Sequence, residues 1–372
     1  MDYLFSYLIY LSLLSCVILL SHLTANKYHN KELSFGYDNY TKIKFNHFLS
    51  LVFIAFIVGF RYKVGTDWEG YKLYFEYGNF NAGKIEFGYR MINSLIFKLK
   101  GSYEVAFFVV SFLSWYLIFK AFPIQLLSLG VYFLFCDEWF FFSTNGVRQF
   151  IAFGFFIFSI KFLINHNFKL YIAFTFIAGL FHSSAFALIP LFIIPWKKLY
   201  NRNIWLTLYS ISFIFSQNSF LIELFSTTFK FLADKVPIFN YYLIYITEIT
   251  YTVGKVSLGN YGLVFRVLIT VLIIFYSKPI LKKYPKTITY YGLFFLGSVV
   301  TSLFVAIPLI SRFAIYFTFF RPLLLALTVY FIFNERNYAK TRLLGIAIII
   351  LYFVLFLNVI SISEYDFTFF QS

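Results

Sequence analysis

The sequence predicts an all-α membrane protein, a polytopic bundle of about twelve transmembrane helices. Hydrophobic residues make up 60% of the 372 positions, charged residues only 13%, and the mean hydropathy is +0.77. A soluble domain carries about 25% charged residues, so this chain cannot cover a globular surface in water but can cover one in lipid. Apolar runs recur along the whole chain and are separated by short polar segments.

Each apolar run is a candidate helix, because a span needs roughly 20 apolar residues and fewer where it is buried among other helices. The runs form one bundle, so residues 1–372 are predicted to be a single integral membrane domain. The predicted helices are 3–21, 47–60, 103–119, 121–136, 150–164, 170–181, 184–196, 204–216, 261–276, 288–307, 314–333 and 343–361.

The net charge of +15 does not indicate nucleic-acid binding, because the basic residues form short clusters between apolar runs. We place the loop with Lys27, Lys31, Lys42 and Lys44 in the cytoplasm and let the helices alternate from there. That side then collects 17 of the 31 basic residues and three of the 16 acidic ones. Cytoplasmic loops are enriched in Lys and Arg. The segregation therefore predicts that both termini lie outside the cytoplasm.

Two loops on the predicted outer side, 61–102 and 217–260, exceed the usual length of a connection, and long loops are usually functional or disordered. The first is dense in Gly, Tyr, Trp and mixed charge, which predicts ordered structure. The second contains apolar stretches and is predicted to form helices that lie along the membrane surface.

Three arginines lie at the predicted outer ends of helices. Arg148 and Arg312 each occur in a short connection flanked by apolar helix, whereas Arg61 follows the helix 47–60. An ionisable group at membrane depth is costly unless it has a polar cavity or a partner. Guanidinium groups match phosphate oxygens, so three arginines that converge on one face would suit a bound pyrophosphate. The alternative for Arg61 is an anchor at the membrane interface.

His182 joins two apolar segments of about a dozen residues each. Each rises only about 18 Å at 1.5 Å per residue, which is less than a hydrocarbon core of about 30 Å. The pair predicts a half-depth hairpin that lowers His182 into a cavity, and the alternative is a helix-capping histidine. Asp67 and Glu69 are candidate site residues, and the alternative is that they form ion pairs with nearby basic residues. Glu86 is a further candidate, and the alternative is that its side chain is simply solvated.

Other kinds of site have no sequence signal. The chain has no Cys/His spacing for a metal, no Gly-rich phosphate loop and no Gly-x-Ser-x-Gly elbow. Cys16 and Cys136 both lie in apolar runs, which indicates core residues and predicts neither a disulfide nor a metal site. We therefore expect no cofactor and no metal.

Four motifs occur in a fixed order along the chain. They are Phe60-Arg61-Tyr62-x-Val64-Gly65-Thr66-Asp67-Trp68-x-x-Tyr71, Glu86-x-Gly88-Tyr89, Asn145-x-x-Arg148-Gln149-x-Ile151-Ala152 and Phe181-His182-Ser183-Ser184. In this order they resemble the EpsG family, polytopic proteins of surface-polysaccharide assembly that are grouped with the Wzy O-antigen polymerases. The order and spacing match from about residue 47 to 196, and Arg312-x-x-x-Tyr316 is similar to a C-terminal Arg–Tyr pair of the family. One departure is Phe87, where the family pattern has Pro.

The resemblance implies a GT-C-like membrane glycosyltransferase that uses oligosaccharides linked to undecaprenyl diphosphate. Such an O-antigen or exopolysaccharide polymerase transfers the growing glycan from one lipid to the non-reducing end of a new lipid-linked repeat unit. The leaving diphosphate carries the activation energy, so no nucleotide is needed. The expected location is the inner membrane with the active site facing the periplasm, and the expected partners are both lipid-linked substrates, the bilayer and a chain-length regulator protein.

The resemblance also implies roles for the polar residues. Arg61, Arg148 and Arg312 would hold the departing diphosphate and stabilise its developing charge. Either Asp67 or His182 would take the proton from the acceptor hydroxyl, with a slight preference for Asp67. Four more residues are assigned supporting roles: Glu69, Glu86, Gln149 and Tyr316.

Three other functions compete with a polymerase. An O-antigen ligase shares the donor but delivers the glycan to lipid A-core. A lipid-linked oligosaccharide flippase should show two-fold repetition and polar residues deep within many helices, and neither is visible in the sequence. A membrane acyltransferase would need a catalytic His or Asp nearer the middle of a span and no outer arginines.

Overall fold

The computed structural model describes residues 2–28, 43–80, 85–216, 261–304 and 308–368, with a few isolated positions between these ranges. Within them the chain is helical, and the only extended pairing is an antiparallel bridge between Tyr62 and Thr368. The α-helices are α1 Asp2–Ala25, α2 Phe45–Gly59, α3 Trp68–Tyr77, α4 Phe87–Lys98, α5 Tyr103–Ala121, α6 Leu127–Cys136, α7 Trp139–Asn145, α8 Val147–Ile164, α9 Phe168–Phe181, α10 Arg202–Ser216, α11 Tyr261–Lys283, α12 Ile288–Leu303, α13 Pro308–Thr318, α14 Phe320–Asn334 and α15 Arg342–Ile360. Shorter helical segments include the 3₁₀-helix Ser183–Ile193 and the single turn Trp196–Leu199.

The prediction of an all-α membrane protein is confirmed for the residues that the structure describes. Where the structure describes them, the predicted apolar runs overlap helical segments, although 184–196 is mainly a 3₁₀-helix and 314–333 is interrupted near Phe319. Among the described residues, six helices are long and apolar enough to cross a bilayer. The helices α6 and α7, bent by 60° and preceded by the turn from Ile124, form a seventh if counted as one span. The six are Leu4–Tyr28, Tyr103–Ala121, Val147–Ile164, Val264–Lys283, Phe313–Asn334 and Arg342–Ile360.

The chain forms two compact units, one of Met1–Ile194 with Leu325–Ser372 and one of Pro195–Leu324. The core of the first unit is aromatic. Trp115 of α5 is fully buried, and its ring lies 5.8 Å from Phe135, 6.4 Å from Phe140 and 5.4 Å from Phe150. Ring pairs at these separations add packing energy beyond the area they bury, so α5, α6, α7 and α8 form the centre of this unit.

The second unit is held together by close helix contacts. Trp205 of α10 stacks on Phe295 of α12 with ring centroids 4.4 Å apart. Burying two large rings face to face removes apolar surface from solvent or lipid and fixes α10 against α12. The helices α12 and α13 also pack against each other.

The predicted outer loops differ in what the structure describes. Loop 61–102 is ordered as predicted, since it contains α3 and α4. The predicted surface helices of loop 217–260 lie outside the described residues, apart from a few isolated positions.

The segment after α15 folds back onto the start of the loop 61–102. The Tyr62 N–H donates to the Thr368 carbonyl at 2.8 Å, and the Gly65 N–H donates to the Glu364 carbonyl at 3.0 Å. The Glu364 carboxylate accepts from the Asn145 side-chain amide at 2.5 Å. Residues 361–368 therefore join the Arg61 loop to the end of α7 by contacts between residues hundreds of positions apart.

Candidate active site

Glu86, Arg148 and His182 come from three separate motifs and meet in the first compact unit. Glu86 immediately precedes α4, Arg148 is in the first turn of α8, and His182 lies between α9 and the 3₁₀-helix. One carboxylate oxygen of Glu86 accepts a hydrogen bond from Arg148 Nη1. The other lies 3.4 Å from His182 Nδ1 and 3.5 Å from the Ser183 backbone nitrogen. A single carboxylate thus bridges the arginine and the histidine.

Glycine in the second motif explains how α4 comes close to α9. A Cβ atom on Gly88 would lie 3.0 Å from the ring of Phe181, the residue before His182. That distance is shorter than ordinary contact between carbon atoms. Gly88 therefore lets the start of α4 pack tightly on the end of α9, which brings the Glu86 carboxylate to His182.

The charge on Glu86 is stabilised by its neighbours. Burial by itself would raise the pKa of Glu86, but the contact with His182 and the positive charge of Arg148 lower that pKa to about 2. The carboxylate is consequently ionised at neutral pH. The side chains of Arg148 and His182 are each 29% exposed, whereas that of Glu86 is 14% exposed. The Arg148 and His182 side chains are therefore partly accessible from outside the protein, whereas the Glu86 carboxylate is mostly buried.

Tyrosines from α3 and α4 extend the cluster. The Tyr71 hydroxyl is hydrogen-bonded to Arg148, and burial raises the pKa of Tyr71 although Arg148 opposes the rise. The Tyr71 and Tyr89 ring centroids lie 5.5 Å apart. Arg148 Nε, His182 Nδ1 and Tyr89 Oη are buried and make no hydrogen bond within the described part of the chain. Buried polar atoms are normally paired, so the cluster leaves some hydrogen-bonding capacity unused.

Arg61 lies in the interior and holds the backbone of its own loop. It is 1% exposed. Its guanidinium donates to the carbonyls of Val58, Val64 (3.2 Å) and Thr144 (2.8 Å), and its Cζ lies 4.6 Å from the centre of the Phe107 ring. Burial lowers the pKa of Arg61 to about 10, which leaves it protonated at neutral pH. This arginine ties the end of α2 to the end of α7.

Asp67 lies at the edge of the cluster. It is the exposed residue before α3 and its side chain makes no capping hydrogen bond. It precedes Tyr71 by one helical turn, and Glu69 is exposed in the first turn of the same helix. The preceding turn needs glycine, because Gly65 has a φ of +91° and a Cβ there would lie 2.3 Å from Asn145 Oδ1. Asp67 and Glu69 are therefore exposed residues at the start of a helix whose preceding turn is ordered.

The remaining predicted residues lie within helices α8 and α13. Gln149 is buried in α8 beside Arg148. Tyr316 is fully buried in α13 within the second unit. Arg312 was predicted in a connection, but it lies within α13, because the helix begins at Pro308, a residue suited to a first helical turn. The Arg312 side chain is not among those that the structure describes.

Two residues of this region make contacts that the sequence did not predict. Glu364 lies 298 residues after Thr66, whose backbone N–H it accepts at 3.3 Å, so no local pattern connects them. Tyr71 belongs to the first motif, but its interaction with Arg148 joins α3 to α8 across 77 residues. Among the described residues no group of three His, Cys, Asp or Glu side chains is arranged to hold a metal ion.

The fold and this cluster define a multi-pass helical membrane protein with an arginine, a carboxylate and a histidine assembled from distant motifs. The EpsG family model matches residues 44–372, and the chain belongs to that family. Searches of curated proteins and of solved structures gave no match. The family and the apolar helices support a role in polysaccharide synthesis at a membrane with lipid-linked sugar substrates.

Proposed function

We propose that this protein is a polysaccharide polymerase of the O-antigen or exopolysaccharide type. It transfers a growing glycan from undecaprenyl diphosphate to the non-reducing end of a second lipid-linked repeat unit. The observation that carries the proposal is the meeting of Glu86, Arg148 and His182 from three of the family motifs. Arginine suits a diphosphate and histidine suits proton transfer, so the cluster has the two groups that this reaction needs.

The reaction is a displacement at the anomeric carbon of the donor. The acceptor hydroxyl oxygen forms a bond to that carbon, the bond to the diphosphate oxygen breaks, and the electron pair leaves with the diphosphate. Arg148 stabilises the negative charge that develops on the leaving group. Its unpaired, buried Nε and the nearby Tyr89 hydroxyl offer further hydrogen bonds to phosphate oxygens. A base, His182 or Asp67, takes the proton of the acceptor hydroxyl.

The three arginines have different roles in this proposal. Arg148 contacts the diphosphate, and Arg312 keeps the phosphate-binding role that the family motif implies. Arg61 acts indirectly, because three backbone carbonyls already occupy its guanidinium and it is 1% exposed. It holds the Asp67 loop against α7, next to the start of α8. Glu69, Gln149 and Tyr316 keep supporting roles.

The proposal includes the membrane topology and the location of the protein. The chain forms a GT-C-like bundle of about twelve spans in one membrane domain. Among the described residues, the six long helices, the bent pair α6 and α7 and the shorter apolar helices α2, α9 and Ser183–Ile193 supply ten candidates for these spans. The protein lies in the inner membrane with the cluster facing the periplasm, where a chain-length regulator is a further partner. The charge segregation of the sequence supports this orientation.

Deletion of the gene and analysis of the surface glycan test the proposal. In a lipopolysaccharide-producing host, loss of a polymerase leaves core plus one repeat unit, and the plasmid-borne gene restores the ladder. Loss of a ligase or a flippase leaves bare core, and that outcome would contradict the proposal. A matched in vitro assay uses purified protein and one synthetic lipid-linked repeat unit, with polyprenyl diphosphate release and product length as readouts.

A further inference from the structure

The Glu86 carboxylate lies between the two groups that the proposed reaction requires. One oxygen binds Arg148 and the other faces His182 Nδ1 at 3.4 Å. Resting on the proposed function, we infer that Glu86 is a positioning residue that fixes the orientation and tautomer of His182, and that His182 rather than Asp67 is the base.

The tautomer follows from the hydrogen-bonding chemistry of the three groups. His182 Nδ1 is buried and makes no hydrogen bond within the described part of the chain, and it faces a Glu86 carboxylate oxygen 3.4 Å away. An ionised carboxylate only accepts hydrogen bonds, so we infer that Nδ1 carries the proton and can donate it to this oxygen after a small shift. In a neutral imidazole the other nitrogen, Nε2, then has the free lone pair. His182 is 29% exposed and sits at the turn after α9, so a substrate hydroxyl can reach it. Nε2 is therefore the atom that accepts the acceptor's proton.

Glu86 also stabilises the product of the proton transfer. As the acceptor oxygen bonds to the anomeric carbon, its proton moves to Nε2 and His182 becomes a cation beside the carboxylate. The imidazolium later releases this proton to water or to the departed diphosphate. Glu86 itself is a poor base, because its pKa lies near 2 and a useful base has a pKa near the working pH. Its function is to orient and to balance charge.

Asp67 lacks the corresponding support. It is exposed before α3 and its side chain makes no hydrogen bond at the helix start. No described group fixes its carboxylate toward a reacting atom, whereas His182 is held from behind by Glu86. A base with an orienting partner loses less entropy in reaching the transition state. Asp67 is therefore left with a role in the outer loop.

Glu86→Gln provides a sharp test, because arginine can only donate hydrogen bonds. The glutamine would turn its carbonyl oxygen to the charged Arg148, which is a stronger donor than the Ser183 backbone N–H 3.5 Å from the other oxygen. Its amide NH₂ would then face His182, and the long contact with Ser183 would be lost. Nδ1 must then accept, which moves the imidazole proton to Nε2 and removes the free lone pair. We expect kcat to fall by about 10²–10⁴, while KM stays close to the wild-type value because Arg148 keeps its partner.

The tautomer is measured directly by ¹⁵N NMR of histidine-labelled, purified full-length protein, with the His182 signal assigned by its loss in His182→Gln. The wild type should show a proton on Nδ1 and Glu86→Gln a proton on Nε2. Glu76→Gln is the matched control, since Glu76 lies on α3 with its side chain 47% exposed and forms an ion pair with Lys72 at 3.7 Å. It should change neither the tautomer nor the rate of polyprenyl diphosphate release.

Several outcomes would overturn the inference. It fails if Glu86→Gln leaves the proton on Nδ1, or if His182→Gln polymerises normally while Asp67→Asn is inactive. A wild-type protein that releases no polyprenyl diphosphate and makes no polymer would instead contradict the proposed function. The NMR comparison uses protein without substrate, so it decides the relation between Glu86 and His182 in either case.

Discussion

Replacement of Arg61 by lysine should lower the stability of the protein more than it changes the chemistry. Arg61 donates to three carbonyls from a buried position, and lysine would keep one of these hydrogen bonds. A hydrogen bond to a charged group contributes about 1.5–3 kcal/mol. Losing two therefore costs about 3–6 kcal/mol, a large part of the net stability of a typical domain. The contact with the Phe107 ring would weaken as well.

The assay compares thermal unfolding of purified Arg61→Lys and wild-type protein in detergent, together with the level of protein in membranes. Arg90→Lys is the matched control, because Arg90 is half-buried on α4 and its guanidinium lies 5.9 Å from the Phe87 ring. We expect a clear loss of stability and of protein level for Arg61→Lys and little change for the control. An Arg61→Lys protein with wild-type stability but no polymerisation would refute this reasoning and indicate direct contact with the diphosphate.

Three further predictions concern other parts of the molecule. Glu364→Ala leaves the Asn145 amide without its 2.5 Å acceptor and should destabilise the protein by about 1–3 kcal/mol, measured as a lower unfolding midpoint. Reporter fusions after Asp38 and Tyr77 should lie in opposite compartments, and a cytoplasmic signal at Tyr77 would contradict the orientation. Because the pKa of Glu86 is lowered to about 2, its contribution to stability is complete above the unfolded-state value of about 4.3 and is lost as the pH falls toward 2. The difference in unfolding midpoint between wild type and Glu86→Gln should therefore be constant above about pH 5 and shrink below pH 4; a difference that already shrinks at pH 6 would be inconsistent with this pKa.

The arginines illustrate where sequence reasoning was incomplete. Sequence reasoning assigned Arg61, Arg148 and Arg312 to one diphosphate-binding set, with an anchor at the membrane interface as the alternative for Arg61. The structure separates Arg61 from Arg148 by their partners, because the first binds backbone carbonyls and the second binds the Glu86 carboxylate. Sequence position does not specify which groups surround a guanidinium.

Sequence alone was sufficient for the membrane class, the positions of the helices and the motifs from which the family follows. Hydropathy and charge are local properties, and a helix satisfies its own backbone hydrogen bonds, so each apolar run could be interpreted independently. Only the tertiary structure decided that Glu86 meets Arg148, 62 residues away, and Ser183, 97 residues away, beside His182. The same holds for Glu364, which meets Asn145 across 219 residues. Such long-range contacts depend on how the helices pack, including close approaches such as that of Gly88 to Phe181. Packing between residues this far apart in the sequence produces no periodic pattern of residue types from which it could be predicted.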